Sequence, residues 1–303
     1  MPELPEVETI ARGLNQRVAG DVINSVWIGS KPEPLKSSAA ELVRTLEGAH
    51  ISRVHRVGKH IVIELANPRG KRPKTKRRIQ EIPNREGAQW IVHLGMTGRL
   101  VIAQPHAQTA KHTHLVAKLA SGRELRFEDA RRFGRLSVRY QPAVDPQQSQ
   151  VNPQSAAQDI HAWAGGREPL EIDFEDFARL FRGRNTPIKS ALLNQKLLRG
   201  VGNIYADEGL FRAGVRPRRR AARVTSDELR KLHRGLQKVL NEAIVAGGSS
   251  VSDYVDSAGD EGFFQFQHRV YGREHEPCLV CKTPVKRVVI AGRSAHYCPR
   301  CQK

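Results

Sequence analysis

All four cysteines of this 303-residue chain fall between residues 278 and 301, as Cys278-Leu-Val-Cys281 and Cys298-Pro-Arg-Cys301. Two thiolates two residues apart grip one metal ion from a tight turn, and a second such turn completes a tetrahedron. The sixteen residues between the pairs lie within the zinc range. Four thiolates leave no open coordination position, so the expected cofactor is one structural Zn2+ rather than a catalytic ion. A redox pair would need a single CxxC in a thioredoxin-like setting, which is absent. Confining every cysteine to one cluster also indicates a reducing compartment. Between the turns, TPVKRVVIAGRSAHY reads as two strands bending at Ala291-Gly292. Arg293 then sits near the tip, where it either meets a phosphate or groove or stands as an ordinary exposed charge.

Fifty Lys and Arg against thirty-one Asp and Glu give a net charge of +19. A soluble surface needs far less, so the excess points to a polyanion. No stretch approaches the roughly 18 apolar residues of a membrane span, and the N-terminus lacks the basic and apolar regions of a signal peptide. A nucleic-acid partner in the cytoplasm, with no membrane and no obligate second subunit, is the expectation.

Texture changes along the chain. Val7, Ile10, Ala11 and Leu14 recur at helical spacing behind Pro5, with Gly20 beyond the end. From about residue 21 to 140, eight short β-branched runs (DVINSVWIG, RVHRV, HIVIEL, AQWIVHL, GRLVIA, HTHLVAKL, RELRFE, GRLSVRY) suggest an antiparallel sandwich or barrel. One helix interrupts them, AAELVRTLEG, opened by a plausible capping box of Ser38 and Glu41. A basic, Pro-rich insertion at 68–87 is either a solvated loop or an extra phosphate-contacting arm. The Gln- and Pro-rich stretch 141–158 reads as a linker. Beyond it come helical segments: DFEDFARLF, PIKSALLNQKLL, NIYADEGLFRAG and TSDELRKLHRGLQKVLNEAIVAG.

Three further motifs stand out. In GVGNIY (200–205), glycines before a helix allow close backbone approach and the free N–H groups attract anions, although a plain helix–turn–helix corner reads the same. HLGMTG sets Met96 on a loop, and EDARRFG sets Arg131 and Phe133 on another. Such side chains either tuck into a core or serve as wedge and filler for an opened base stack. Finally, MPELPEVE crowds two prolines and three glutamates into the first eight residues.

In order along the chain, MPELPE, Lys59 in RVGKH, HLGMTG, RRFG, GVGNIY and CxxC…CxxC closely resemble formamidopyrimidine-DNA glycosylases, the bacterial Fpg enzymes of the Fpg/Nei superfamily. The resemblance spans everything but 68–87 and 141–158. It implies an α+β multidomain fold: an N-terminal β-sandwich with flanking helices (1–140), a linker (141–160), a helix-two-turn-helix domain (161–262) and a zinc-ribbon-like finger (263–303). Damaged double-stranded DNA would lie in the cleft between the two main domains. Oxidised purines such as 8-oxoguanine and formamidopyrimidines would be removed and the strand cut at the abasic site.

Carried over by motif, Pro2 becomes the nucleophile once Met1 is lost, Glu3 its acid/base partner and Glu6 a supporting carboxylate. Lys59, Asn203 and Arg293 match phosphate contacts, with Lys59 also counted among the catalytic groups. Lys189 matches a lysine near the lesion pocket, and Met96, Arg131 and Phe133 match the residues that fill the vacated stack. The chemistry stands on its own: an α-amine with a pKa near 8 is partly neutral at pH 7. A secondary amine attacking the sugar C1′ gives an iminium that cannot shed its charge through an N–H proton, easing elimination. Three departures are visible: DARRFG for DPRRFG, KHTH (with Thr113) for KHDH, and the segment 260–266, which leaves substrate preference less constrained than chemistry. Two rivals remain, an endonuclease VIII-like enzyme for oxidised pyrimidines and a catalytically silent zinc protein that binds nucleic acid.

Overall fold

The computed structural model describes residues 1–66, 87–140, 162–251 and 254–303. Most of the basic insertion and the linker lie outside these residues. The chain separates into two compact units.

In the first unit all eight expected strands form. One antiparallel sheet runs β1 (Ile23–Ile28), β6 (Thr113–Leu119), β7 (Glu124–Glu128) and β5 (Arg99–Ala103). The other runs β2 (His50–Val57), β3 (His60–Ala66), β4 (Gly87–His93) and β8 (Arg135–Tyr140). Alternate residues of both sheets meet in one core, among them Leu115, Leu125 and Phe127 from the first and Ile61, Ile63, Trp90 and Leu136 from the second. Two helices close it: α1 (Leu4–Val18) contributes Val7, Ile10 and Leu14, and α2 (Ala39–Leu46) contributes Leu42 and Leu46. Ser38 caps α2 by accepting from the Glu41 N–H at 3.2 Å. No helix among the described residues is long and apolar enough to cross a membrane.

The second unit holds α3 (Phe174–Arg179), α4 (Ile188–Leu192), α5 (Asn203–Ala213) and α6 (Ser226–Val245), then the hairpin β9 (Lys286–Ile290) and β10 (Arg293–Tyr297). A complete capping box, Thr225 with Glu228, starts α6. Helix α4 is shorter than PIKSALLNQKLL suggests, for a local reason. The Asn194 side chain accepts from the Lys196 N–H at 3.0 Å, drawing the backbone out of the helical ladder. The hairpin turns at Ala291 (φ 48°) and Gly292 (φ 74°), the paired left-handed geometry that suits a two-residue hairpin. Two stretches depart from the expected boundaries: residues 3–6 cluster with the second unit and 253–261 with the first.

Candidate active site

The acidic start of the chain is seated on a helix terminus. Glu3 is 4% exposed, and its carboxylate accepts from the Ile204 N–H at 3.1 Å and more weakly from the Tyr205 N–H at 3.5 Å. These are among the unpaired donors at the start of α5, where the helix dipole favours an anion. Gly202 makes the approach possible: a Cβ there would lie 2.2 Å from Glu3 Cδ. Gly200, at φ +90°, accepts from the Leu4 N–H at 3.0 Å through its carbonyl. The anion that GVGNIY attracts is therefore, in the first instance, the chain's own Glu3.

Glu6, 2% exposed, lies beside it. Its carboxylate accepts from the Tyr205 hydroxyl at 2.5 Å, the Ser249 N–H at 2.8 Å and the Glu3 N–H at 2.8 Å. Burial, and then the Glu3 charge, push its pKa up to about 7 against these hydrogen bonds. The third glutamate behaves differently: Glu8 is an ordinary ion-pair partner, held at 2.7 Å by both Arg12 and Arg56. Pro2 is buried beneath an exposed Met1.

Lys189 is held inside the second unit. It is 1% exposed, and its Nζ donates to Asp207 Oδ1 at 2.6 Å and to the Ser294 carbonyl at 2.5 Å. Asp207 Oδ2 accepts from the His296 N–H at 2.8 Å. These bonds join α4, α5 and β10 through Lys189, the residue that the resemblance matches to a lysine near the lesion pocket. Asn203 opens α5 rather than capping it, since the cap is Gly202, and its amide donates to Ser294 Oγ at 3.3 Å. Arg293 is exposed at the first position of β10.

In the first unit the two loops singled out by sequence are brought together by Asp129, which is 1% exposed. Its carboxylate accepts from the Thr97 hydroxyl at 2.6 Å, the Arg131 N–H at 3.2 Å and the Gly134 N–H at 2.7 Å. The backbones touch: a Cβ on Gly95 would lie 2.6 Å from the Phe133 carbonyl carbon. This leaves Met96 at 41% and Phe133 at 53% exposure, with the Arg131 guanidinium 4.8 Å from the Phe133 ring centre. Neither side chain tucks into the core.

Lys59 sits in the β2–β3 turn, 8% exposed. His93, at the end of β4, accepts from the Gly95 N–H at 3.1 Å through Nδ1, and burial with His60, Arg135 and Lys59 nearby holds its pKa down to about 3. The imidazole is thus neutral and orients the Met96 loop. The four cysteine Sγ atoms lie within 4.8 Å of one another, with Cys278–Cys301 at 3.9 Å and Cys281–Cys298 at 3.4 Å. A tetrahedron with Zn–S bonds of about 2.3 Å has edges of about 3.8 Å, so the donor set fits zinc.

Comparison with known proteins agrees. Residues 1–136 match the formamidopyrimidine-DNA glycosylase N-terminal domain, 166–255 its H2TH domain, and 276–303 the zinc finger found in FPG and IleRS. The chain belongs to the formamidopyrimidine-DNA glycosylase family. One family member, from Solibacter usitatus, is 42% identical over 307 residues, covering all of both chains. The Lactococcus lactis Fpg in complex with abasic-site DNA matches with a TM-score of 0.80 at 30% identity over 99% of each chain. MutM in complex with carbocyclic 8-oxo-G DNA gives 0.80 at 30% identity over the whole of both. The four thiolates form the structural zinc site of this family's finger.

Sequence reasoning missed Gly202 as the seat of Glu3, Tyr205 and Ser249 on Glu6, and the Asp207 and Asp129 anchors. Of these, Gly202, Tyr205, Asp129 and Asp207 lay inside quoted stretches, and only Ser249 lay outside them.

Gly202→Ala is expected to cost about 1–3 kcal/mol through overlap. Combining it with Glu3→Gly should recover much of that loss in a urea-denaturation double-mutant cycle. Lys189→Met leaves Asp207 a buried, poorly compensated charge. It should lose about 3–5 kcal/mol, and the Lys189→Met/Asp207→Leu pair should lose less. For Glu6 the folded pKa lies above the unfolded value of 4.5, so the native state holds an extra proton between pH 4.5 and about 7. Its contribution to stability is therefore full below pH 4.5 and lost as pH rises through 7. Thermal midpoints should show the wild type losing stability across that window relative to Glu6→Gln.

Proposed function

We propose that this chain is a bifunctional DNA glycosylase/AP lyase that removes oxidised purines, 8-oxoguanine and formamidopyrimidines among them, from double-stranded DNA. We place its work in the bacterial cytoplasm, on nucleoid DNA. The observation that carries the reading is the carboxylate pair Glu3/Glu6, seated in the second unit directly after Pro2 in the chain.

Removal of Met1 frees the Pro2 secondary amine. Its pKa near 8 leaves a useful neutral fraction at pH 7, so burial is not needed to make it nucleophilic. Attack on C1′ of the damaged nucleotide breaks its bond to the base, and the Pro2 nitrogen gives up its proton. The C1′–O4′ bond then opens with O4′ taking a proton, leaving a ring-opened iminium that draws electrons from C2′. Loss of the C2′ proton expels the 3′ phosphate, and a second elimination expels the 5′ phosphate. Glu3 is the proton donor to the sugar ring oxygen or the departing base. The hydrogen bonds from α5 hold its carboxylate in one orientation. Glu6 supports it: it accepts from the Glu3 N–H and, with a pKa near 7, carries only about half a negative charge beside Glu3 at neutral pH.

Lys59, Asn203 and Arg293 are assigned to backbone phosphates, where cations and amide donors fix register. Met96 and Phe133 suit the apolar wedge that unstacks a base step, and Arg131 suits the space left behind. Their exposure on rigidly held loops supports this, since a wedge must stay extended without DNA to lean on.

Borohydride trapping on an abasic duplex tests the chemistry. Protein confirmed to begin at Pro2 should form a covalent adduct, and an N-terminal tag should abolish it. Failure of the untagged protein to trap sinks the lyase reading. A panel of single-lesion duplexes should show faster release of 8-oxoguanine than of thymine glycol. The reverse order would favour a pyrimidine enzyme.

A further inference from the structure

A second feature of the first unit has no place in that mechanism. A cleft of about 720 Å3 is lined by the Trp27 indole together with Lys31, Lys111, His112 and Arg132. Trp27 lies on β1, an edge strand of its sheet, and is 51% exposed, whereas Trp90 is fully buried in the core. Leaving half an indole in water forgoes substantial apolar burial, at about 25 cal/mol per Å2. The ring lies over Gly29, with Trp27 Cη2 3.4 Å from where a Cβ would stand. A side chain at position 29 would crowd the ring, and glycine lets it lie low as a platform.

The charged side chains that line the cleft are basic. Lys31, Lys111 and His112 are exposed, and neither lysine has an ion pair among the described residues. Among the described residues, no acidic side chain lines the cleft. Groups on its floor are satisfied internally: the Thr113 hydroxyl donates to the Ala110 carbonyl at 2.8 Å, and His114 Nε2 bonds the Asp129 carbonyl at 2.9 Å. Arg132 is held at φ +59°, a left-handed conformation that is uncommon outside glycine. Asp129 enforces it by taking the N–H groups of Arg131 and Gly134 on either side. While Arg131 and Phe133 pair with each other, Arg132 lines the cleft, and its guanidinium rests on exposed Glu33 at 2.5 Å. A carboxylate there occupies the position a phosphate oxygen would take.

A flat π-face ringed by cations recognises an aromatic heterocycle that carries phosphate. We propose that this cleft holds one unstacked nucleotide of a DNA strand, its base on Trp27 and its phosphates on Lys31, Lys111 and Arg132. A strand rather than a free nucleotide is favoured because the same turn, residues 129–134, presents Arg131 and Phe133. In this respect the inference rests on the DNA-repair reading above. The cleft is a docking site and takes no part in bond breaking.

The test uses the full-length zinc protein and a fluorescein-labelled oligothymidylate of about ten nucleotides, within the usual single-strand site size. Trp27→Ala should weaken binding by about 5- to 100-fold, the equivalent of one stacked base, and Trp27→Phe should retain most of the affinity. Lys31→Ala/Lys111→Ala should flatten the dependence of log affinity on log salt by about one to two charges. Trapping of a blunt abasic duplex should be unchanged in all three variants, which separates this site from the catalytic reading. Unchanged oligothymidylate binding by a folded Trp27→Ala protein overturns the proposal. So does competition by thymidine monophosphate as effective, mole for mole, as the strand, which would make the cleft a free-nucleotide pocket. Should Trp27→Ala fail to fold, Trp27→Phe and the double lysine variant decide it through affinity and salt slope.

Discussion

The Glu3 carboxylate on the first turn of α5 is the contact on which the organisation of the second unit turns. A helix N-terminus has unpaired donors and a partial positive charge, and a buried carboxylate needs both. Each satisfies the other, at the cost of a glycine at 202 and a close backbone contact between Leu4 and Gly200. Glu6 then follows from helical spacing. Three residues along α1, it lies on the same face as Glu3 and takes up the Glu3 N–H, so one turn of helix supplies two carboxyl groups in different electrostatic states. The pair can coexist because one carboxyl can keep its proton near neutrality.

The sandwich solves a separate problem, that of keeping apolar side chains in water. Met96 and Phe133 would be drawn into a core if their loops could bend. They cannot, because Gly95, Gly98 and Gly134 let backbone meet backbone, and Asp129 ties both loops with buried hydrogen bonds. Neutral His93 adds a further tie through the Gly95 N–H. The loops are thus held by packing, and the exposure of Met96 and Phe133 is a product of close-packed glycines beneath them.

What could be read from the chain follows from the range of each interaction. The eight strands were legible because alternation and β-branching act within a few residues, and α6 was legible because helical texture does too, whereas its Thr225/Glu228 capping box emerged only from the fold. Met96, Arg131 and Phe133 were legible as candidates, but their convergence depended on Asp129, whose inward turn no local pattern reveals. Lys189 shows the limit most clearly. The sequence marks its segment only as helical, and the fold alone shows Asp207 eighteen residues on and the Ser294 carbonyl more than a hundred away. The glycines of GVGNIY were recognised as an anion site, but the nearest anion was two hundred residues earlier in the same chain.

The zinc finger belongs to this same arrangement because it is fastened to both ends of α5. At the helix start, Asp207 accepts from the His296 N–H, and Asn203 donates to Ser294. Just beyond the helix end, the Lys303 N–H donates to the Gly214 carbonyl and the Gln302 amide to the Val215 carbonyl. Between them, Phe211 packs with Val270, Val285, Cys278 and Cys298 in a small core of its own. A hairpin of two five-residue strands buries too little apolar surface to hold its shape alone, so the metal must supply the rigidity. Zinc therefore does more than close a fingertip. It stiffens the element that buries Lys189 against Asp207, and that pairing steadies the helix whose first turn carries Glu3. An ion with no open coordination site thus has a mechanical route to the buried Glu3 carboxylate.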